Sequence, residues 1–269
     1  VRHFDNDALG LLPSLMRRAS WQHRAGYFND ERATYRRAVR IIEESAGKDD
    51  PRLVDPLVRL GRSFYYFEQL TDGFTRPATA SGELYLKRAV RIAEGADDFP
   101  WLERAAAKLE LADYYAVSEQ HNRARRMYKE VWEEMSADED SLEMRGDYMG
   151  NPLPVWETPL PTYTSAASGA KRGNDMQTGF ITVNYTVSSR GRVRVIKTVV
   201  DPVEFTDMQR MVHREIRRRV FRPQIVDGVP VESGDQEFRH EFYYRQNEVE
   251  ALREEQAAKN PAQTTAESP

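Results

Sequence analysis

The groups best placed to do chemistry in this chain are backbone amides and arginines. Residues 237 to 244 read Glu-Phe-Arg-His-Glu-Phe-Tyr-Tyr. Phe238, His240, Phe242 and Tyr244 fall on one face, and Arg239, Glu241 and Tyr243 on the other. That is the period-two alternation of a half-buried strand. As the last strand of its sheet it is expected at an edge, where unpaired N–H and C=O groups can take a partner peptide as an added strand. Phe238, Arg239, His240, Glu241, Phe242 and Tyr243 are therefore the candidate partner-binding residues. Arg239 and Glu241 equally suit plain protection of an edge by charge. The second cluster is cationic. Arg210, Arg214, Arg217, Arg218, Arg219 and Arg222 crowd one expected helix and its exit. Cations favour a helix C-terminus, so a solvated helix end accounts for them. Alternatively, Arg214, Arg217, Arg218 and Arg222 form a docking patch for an anionic partner, such as an acidic peptide, lipid head groups or cell-wall polymer.

Side chains with catalytic spacing are not found. The sequence contains no GxxxxGK[ST], GxSxG or HExxH pattern. Ser168-Gly-Ala-Lys171 fits S-x-x-K but stands in a small-residue stretch, whereas a nucleophile needs a rigid scaffold. His3, His23, His121, His213 and His240 have no ligand-type partner at two to four residues, so no metal site is expected. Glu43-Glu44, Asp97-Asp98 and Glu133-Glu134 are adjacent in sequence, and neighbours on a helix point apart, so they read as solvated faces. Asp138-Glu139-Asp140 lacks the glycine of a calcium loop. The chain has no cysteine, which removes disulfides, zinc thiolates and thiol catalysis. The expectation is a non-enzyme without cofactors. A net charge of −4 and a lack of aromatics interleaved with the arginines argue against nucleic acid.

The elements that must position these groups begin at Gly179. Ile181, Val183, Tyr185 and Val187 alternate with Thr182, Asn184 and Thr186. Ser188-Ser-Arg-Gly191 is a turn cluster, with Gly191 expected at positive φ, and a second strand runs from Arg192 to Val200. Phe205, Met208, Val212, Ile216 and Val220 recur at helical spacing. Asp227-Gly228 marks a turn. The spaced set Gly179, Val183, Tyr185-x-Val187, Gly191-x-Val193, Phe221-x-Pro223, Gly228-x-Pro230-Val231 and Phe238-x-x-x-Phe242 resembles the C-terminal domain of the TonB family of energy transducers. The resemblance covers roughly a quarter of the chain. It implies a periplasmic location in a Gram-negative cell and strand addition by a peptide at the sheet edge, from a partner such as an outer-membrane receptor. Where that family has Tyr-Pro near the domain start, this chain has Tyr163-Thr164. The chain opens at Val1 without a basic-then-apolar leader, so a processed signal or an anchor is expected upstream.

The first half is helical by period and carries internal repeats. Ala19, Gly26, Phe28, Tyr35 and Ala38 align with Leu60-Gly61, Phe64, Leu86 and Ala89, and with Leu111-Ala112, Tyr115, Ala124, Tyr128 and Val131. Small residues at fixed offsets let antiparallel helices approach, and aromatics fill the space beside them. The pattern resembles tetratricopeptide helical hairpins, although Ala19, Gly61 and Ala112 stand 42 and 51 residues apart where about 34 is usual. Residues 70 to 81 read as a loop insertion. The chain is thus expected to be α+β. Residues 1–140 form a helical-repeat domain, and residues 141–178 a Pro/Ser/Gly-rich linker. Residues 179–246 form a small domain with a three-stranded antiparallel sheet and one main helix, and residues 247–269 a polar tail, briefly helical and then disordered. Trp156 and Tyr163 lie in the linker, either packed back on a domain or serving as a docking segment. No run of eighteen apolar residues exists to span a membrane. The expected function is protein–protein interaction, TonB-like: a transport or adaptor role with a peptide on the edge strand and a second partner on the helical repeats. The alternative is a cell-wall or anionic-ligand accessory module that uses the arginines.

Overall fold

Small residues set how closely the N-terminal helices cross. A computed structural model describes residues 8–65, 81–137, 139, 141–164 and 176–259. The chain divides into two compact units, Val1–Val155 with Ile225–Pro230, and Trp156–Gln224 with Val231–Pro269. The fold is α+β.

In the first unit, Leu12–Arg24 (α1), Phe28–Ala46 (α2), Val54–Ser63 (α3), Ser81–Gly95 (α4), Trp101–Val117 (α5) and His121–Glu134 (α6) pack in sequence order. α1 lies on α2, α3 on α4 and α5 on α6, so each expected repeat is one helical hairpin. Ala19, Ala38, Ala89 and Ala112 are fully buried, with Tyr35, Tyr128 and Val131 beside them. The closest crossing is between α3 and α4. A Cβ on Gly82 would lie 2.9 Å from the Gly61 carbonyl oxygen and 2.6 Å from the Tyr114 ring. Buried polar groups tie the helices in pairs: the Tyr128 hydroxyl donates to Asp113 at 2.8 Å, and the Thr34 hydroxyl to Gln22 at 2.8 Å. Glu31 is buried, with its carboxylate 3.1 Å from His23 Nδ1. The loop expected up to residue 81 lies outside the described residues as far as 80, and Ser81 opens α4.

The stretch read as a linker is structured where it is described. Ser141–Met149 is a helix (α7) whose Met149 is fully buried. Leu153–Trp156 is a short strand (β1). Residues 157–162 form neither helix nor strand, and Tyr163 forms an isolated bridge. The expected S-x-x-K residues, Asp138 and Asp140 lie outside the described residues.

In the second unit, Met176–Val187 (β2) is the central strand of a three-stranded antiparallel sheet, ordered β3-β2-β7, with Val193–Asp201 (β3) and Gln236–Arg245 (β7) on its flanks. Thr206–Arg218 (α8) covers one face. Its Met208, Val212 and Ile216 pack with Ile181, Val183, Val187, Phe205 and Phe242 in one core. Gly191 takes φ 74° in the β2–β3 turn, and its carbonyl accepts from Phe221 N–H at 2.9 Å in Val220–Arg222 (β4). Gln224–Val226 (β5) and Val229–Val231 (β6) pair as a hairpin around Asp227-Gly228. The tail, expected to run briefly as a helix before its disordered end, is a helix, Gln246–Lys259 (α9), as far as the described residues run. Its Val249 and Leu252 pack on the core, and Arg253 Nε bonds the Glu204 carboxylate at 2.5 Å.

The Gly61–Gly82 contact yields a direct check. Gly82→Ala places a methyl group against the carbonyl of a facing helix, where backbone must move. A loss of about 1–3 kcal/mol is expected, seen as a lower midpoint in thermal or urea unfolding. A Gly95→Ala control, at an open position, should unfold like the parent.

Candidate functional site

Alternation in β7 decides what the edge offers. Each even-numbered residue faces the core: Phe242 is fully buried, Tyr244 nearly so, and Phe238 and His240 are half-buried. Glu237, Arg239 and Glu241 are exposed on the opposite face. β7 pairs with β2 from Met176↔Arg245 to Tyr185↔Gln236 without a register shift. The Tyr243 N–H points away from β2, because it donates to Thr162 O at 2.8 Å. In an antiparallel ladder, residues alternate between bonding inward and outward. Glu237, Arg239, Glu241 and Tyr243 therefore direct their N–H and C=O groups to the outer edge, and Phe238, His240 and Phe242 bond to β2. Of the expected partner-binding residues, Phe238, His240 and Phe242 are corrected to core and ladder positions. The strand's outward backbone comes from Arg239, Glu241 and Tyr243, joined by Glu237.

Part of that edge is already occupied. Thr162 O accepts from Tyr243 N–H, and Thr164 N–H donates to Tyr243 O at 3.1 Å, so Tyr163 bridges Tyr243 as a parallel strand. The two tyrosine rings lie 5.5 Å apart. His240 Nε2 is 2.7 Å from Pro161 O, so that nitrogen carries the proton. Thr164 Oγ1 lies 3.1 Å from the Glu248 carboxylate. Beyond Tyr243 no backbone partner meets the outward groups of Glu237, Arg239 and Glu241 among the described residues. Their side chains lie on the sheet face: the Arg239 guanidinium sits 3.9 Å over the Phe180 ring, and Glu241 accepts from the Tyr243 hydroxyl.

The other edge is closed by different means. The β2–β3 register shifts between Asn184 and Tyr185, a bulge that leaves Ile196 without a partner residue and half-exposed. Bulges twist an edge away from pairing. On the same strand, Gln209 Nε2 of α8 donates to Thr198 O at 2.6 Å, and His213 Nδ1 meets Thr198 Oγ1 at 3.0 Å.

The arginines do not form one patch. Arg214 and Arg217 are exposed, with Arg214 3.2 Å from Glu215. Arg218 is half-buried, 3.4 Å from the same carboxylate. Arg222 is buried, which corrects its place in a docking surface. Arg219 is buried too, 4.5 Å over the Phe238 ring and 3.5 Å from Glu157. Burial lowers its guanidinium from the ordinary arginine range, and the Glu157 and Tyr185 charges oppose that. Trp156 is buried, and the Tyr163 ring lies beside Tyr243, so the two linker aromatics pack on their own chain.

On the helical unit, α1, α2, α3 and α5 line a groove of about 420 Å³. Arg59 pairs with Asp55 at 2.7 Å and Arg62 with Glu110 at 3.2 Å, His23 Nδ1 lies 3.1 Å from Glu31, and Arg24 and Glu103 also line the groove. Burial raises the Tyr35 hydroxyl above the ordinary tyrosine value, helped by the Glu31 charge, so it is a neutral donor at the groove wall. No group of three or more His, Cys, Asp or Glu among the described residues is arranged to hold a metal ion. No helix among them is long and apolar enough to cross a membrane. No protein-family model matches the chain, and no curated protein matches it.

The parity of β7 can be read by proline substitution. Arg239→Pro and Glu241→Pro remove donors that face outward and should stay folded, because an edge strand tolerates proline at such positions. His240→Pro removes the donor paired to Ile181 and should lose about 1–3 kcal/mol. Urea unfolding of the three variants distinguishes them, and equal losses would contradict the assigned parity.

Proposed function

We propose that this chain is a non-catalytic protein-interaction protein of TonB-like kind, acting in a Gram-negative periplasm. It takes a partner peptide as an added strand on the outer edge of β7. The observation that carries this reading is that residues 162–164 already bond the outer edge of β7 through a bridge at Tyr243, while among the described residues no backbone group meets the outward groups of Glu237, Arg239 and Glu241 beside it. Main-chain bonds of this sort supply affinity, and side chains at alternate positions supply selectivity. An extended segment of an outer-membrane receptor fits such an edge. The groove on the helical hairpins would hold a second partner. Its paired charges favour a polar peptide of mixed sign over a uniformly charged polymer. With Arg222 buried and Arg218 half-buried, cell-wall docking is left with Arg214 and Arg217 as its fully exposed cations, and it is the weaker reading.

Capture on an immobilised chain tests it. Parent protein should retain specific proteins from a Gram-negative periplasmic and outer-membrane extract, and folded Arg239→Pro should retain at least tenfold less of them. Arg214→Ser with Arg217→Ser should retain as much as the parent. If folded Arg239→Pro captures the same proteins at the same level, β7 is not the binding edge.

A further inference from the structure

The strand that lies on β7 is short, and it belongs to the chain itself. Among the described residues, it meets the outward backbone of Tyr243 alone. Upstream of it the chain leaves the edge: Leu160 packs on the core of the sheet, and Thr158 Oγ1 donates to Glu215 of α8 at 2.7 Å. A strand running the whole edge would meet the N–H and C=O groups of Glu237, Arg239, Glu241 and Tyr243. Two ladder bonds, one ring contact, the His240–Pro161 bond and the Thr164–Glu248 contact hold the internal strand. We infer that residues 161–164 are a built-in competitor for the β7 edge, displaced by a partner strand that enters parallel to β7 and sets an aromatic side chain beside Tyr243.

The inference rests on the strand-addition reading above and specifies its partner. Direction follows from the Tyr163↔Tyr243 bridge, which is parallel. The aromatic follows from the Tyr163 ring, tilted by 42° against Tyr243. Prolines 159 and 161 hold the internal segment extended, so little ordering opposes its return when a partner leaves. A tethered segment acts at a high effective concentration. A free copy of the same sequence must therefore bind the parent weakly, and binding must rise when the tethered copy is disabled.

The probe is a fluorescein-labelled peptide with the sequence of residues 157–164, Glu-Thr-Pro-Leu-Pro-Thr-Tyr-Thr, followed by anisotropy. Tyr163→Ala with Thr164→Pro removes the ring and one ladder donor from the tethered strand. This variant should bind the peptide at least tenfold more tightly than the parent. Adding Arg239→Pro should cancel the gain, and a peptide of reversed sequence should bind at least tenfold more weakly. Should the double variant unfold, Tyr163→Ala alone leaves the backbone intact and should give about a threefold gain. Equal peptide binding by parent and variant overturns the competitor, and equal binding of the reversed peptide overturns the parallel entry. The capture experiment is scored apart from this. A peptide gain with no captured protein keeps the competitor and removes the proposed function. Capture lost in Arg239→Pro with no peptide gain does the reverse.

Discussion

The unbroken register between β2 and β7 governs what the second unit presents to a partner. Because side chains and backbone groups both alternate with period two, one register fixes two things at once. It buries Phe242 and Tyr244, half-buries Phe238 and His240, and turns the amides of Glu237, Arg239 and Glu241 outward. A slip of one residue would place Glu and Arg in the core, so packing of Phe242 against Phe205 and Gly179 locks the outward set as firmly as the inward one. Gly179 is needed at the point of contact, since a Cβ there would collide with the Phe242 ring.

The two edges of the sheet then differ in kind. β3 is bulged at Ile196, and Gln209 reaches from α8 to bond its Thr198 carbonyl. Such devices discourage pairing with another chain. β7 has no bulge. Its charged residues lie on the sheet face, Arg239 on Phe180 and Glu241 beside Tyr243, and among the described residues no backbone group meets the outward row from Glu237 to Glu241. The chain covers one position of that row with residues 162–164. Among the described residues, that edge is regular and is met at Tyr243, one of its four outward-facing positions from Glu237 to Tyr243.

Local patterns made much of this fold readable from sequence. Alternation in 181–187 and 237–244 located β2 and β7, and Gly191 marked the turn between β2 and β3. Ala19, Ala38, Gly61, Ala89 and Ala112 marked the helix crossings because only small residues fit there. What stayed hidden was non-local. Tyr163 meets Tyr243 across eighty positions of sequence, and three residues have no period to display. Prolines around them suggested a linker, although a fixed extended φ also suits a strand laid on an edge. Arg219 and Arg222 looked like part of a solvated helix end. Both follow the last turn of α8, where the chain turns back into the core, and charge alone did not signal their burial. α7 carries weak amphipathic patterning, and a buried Met149 rather than its period anchors it.

Amide hydrogen exchange along β7 tests the central claim most directly, because it reads each backbone donor in turn. An alternating record is expected. Amides of Phe238, His240, Phe242 and Tyr244 exchange slowly, those of Arg239 and Glu241 exchange near the rate of an open chain, and Tyr243 falls between them. Uniform protection from Glu237 to Tyr244, or protection on the odd-numbered residues, would contradict it.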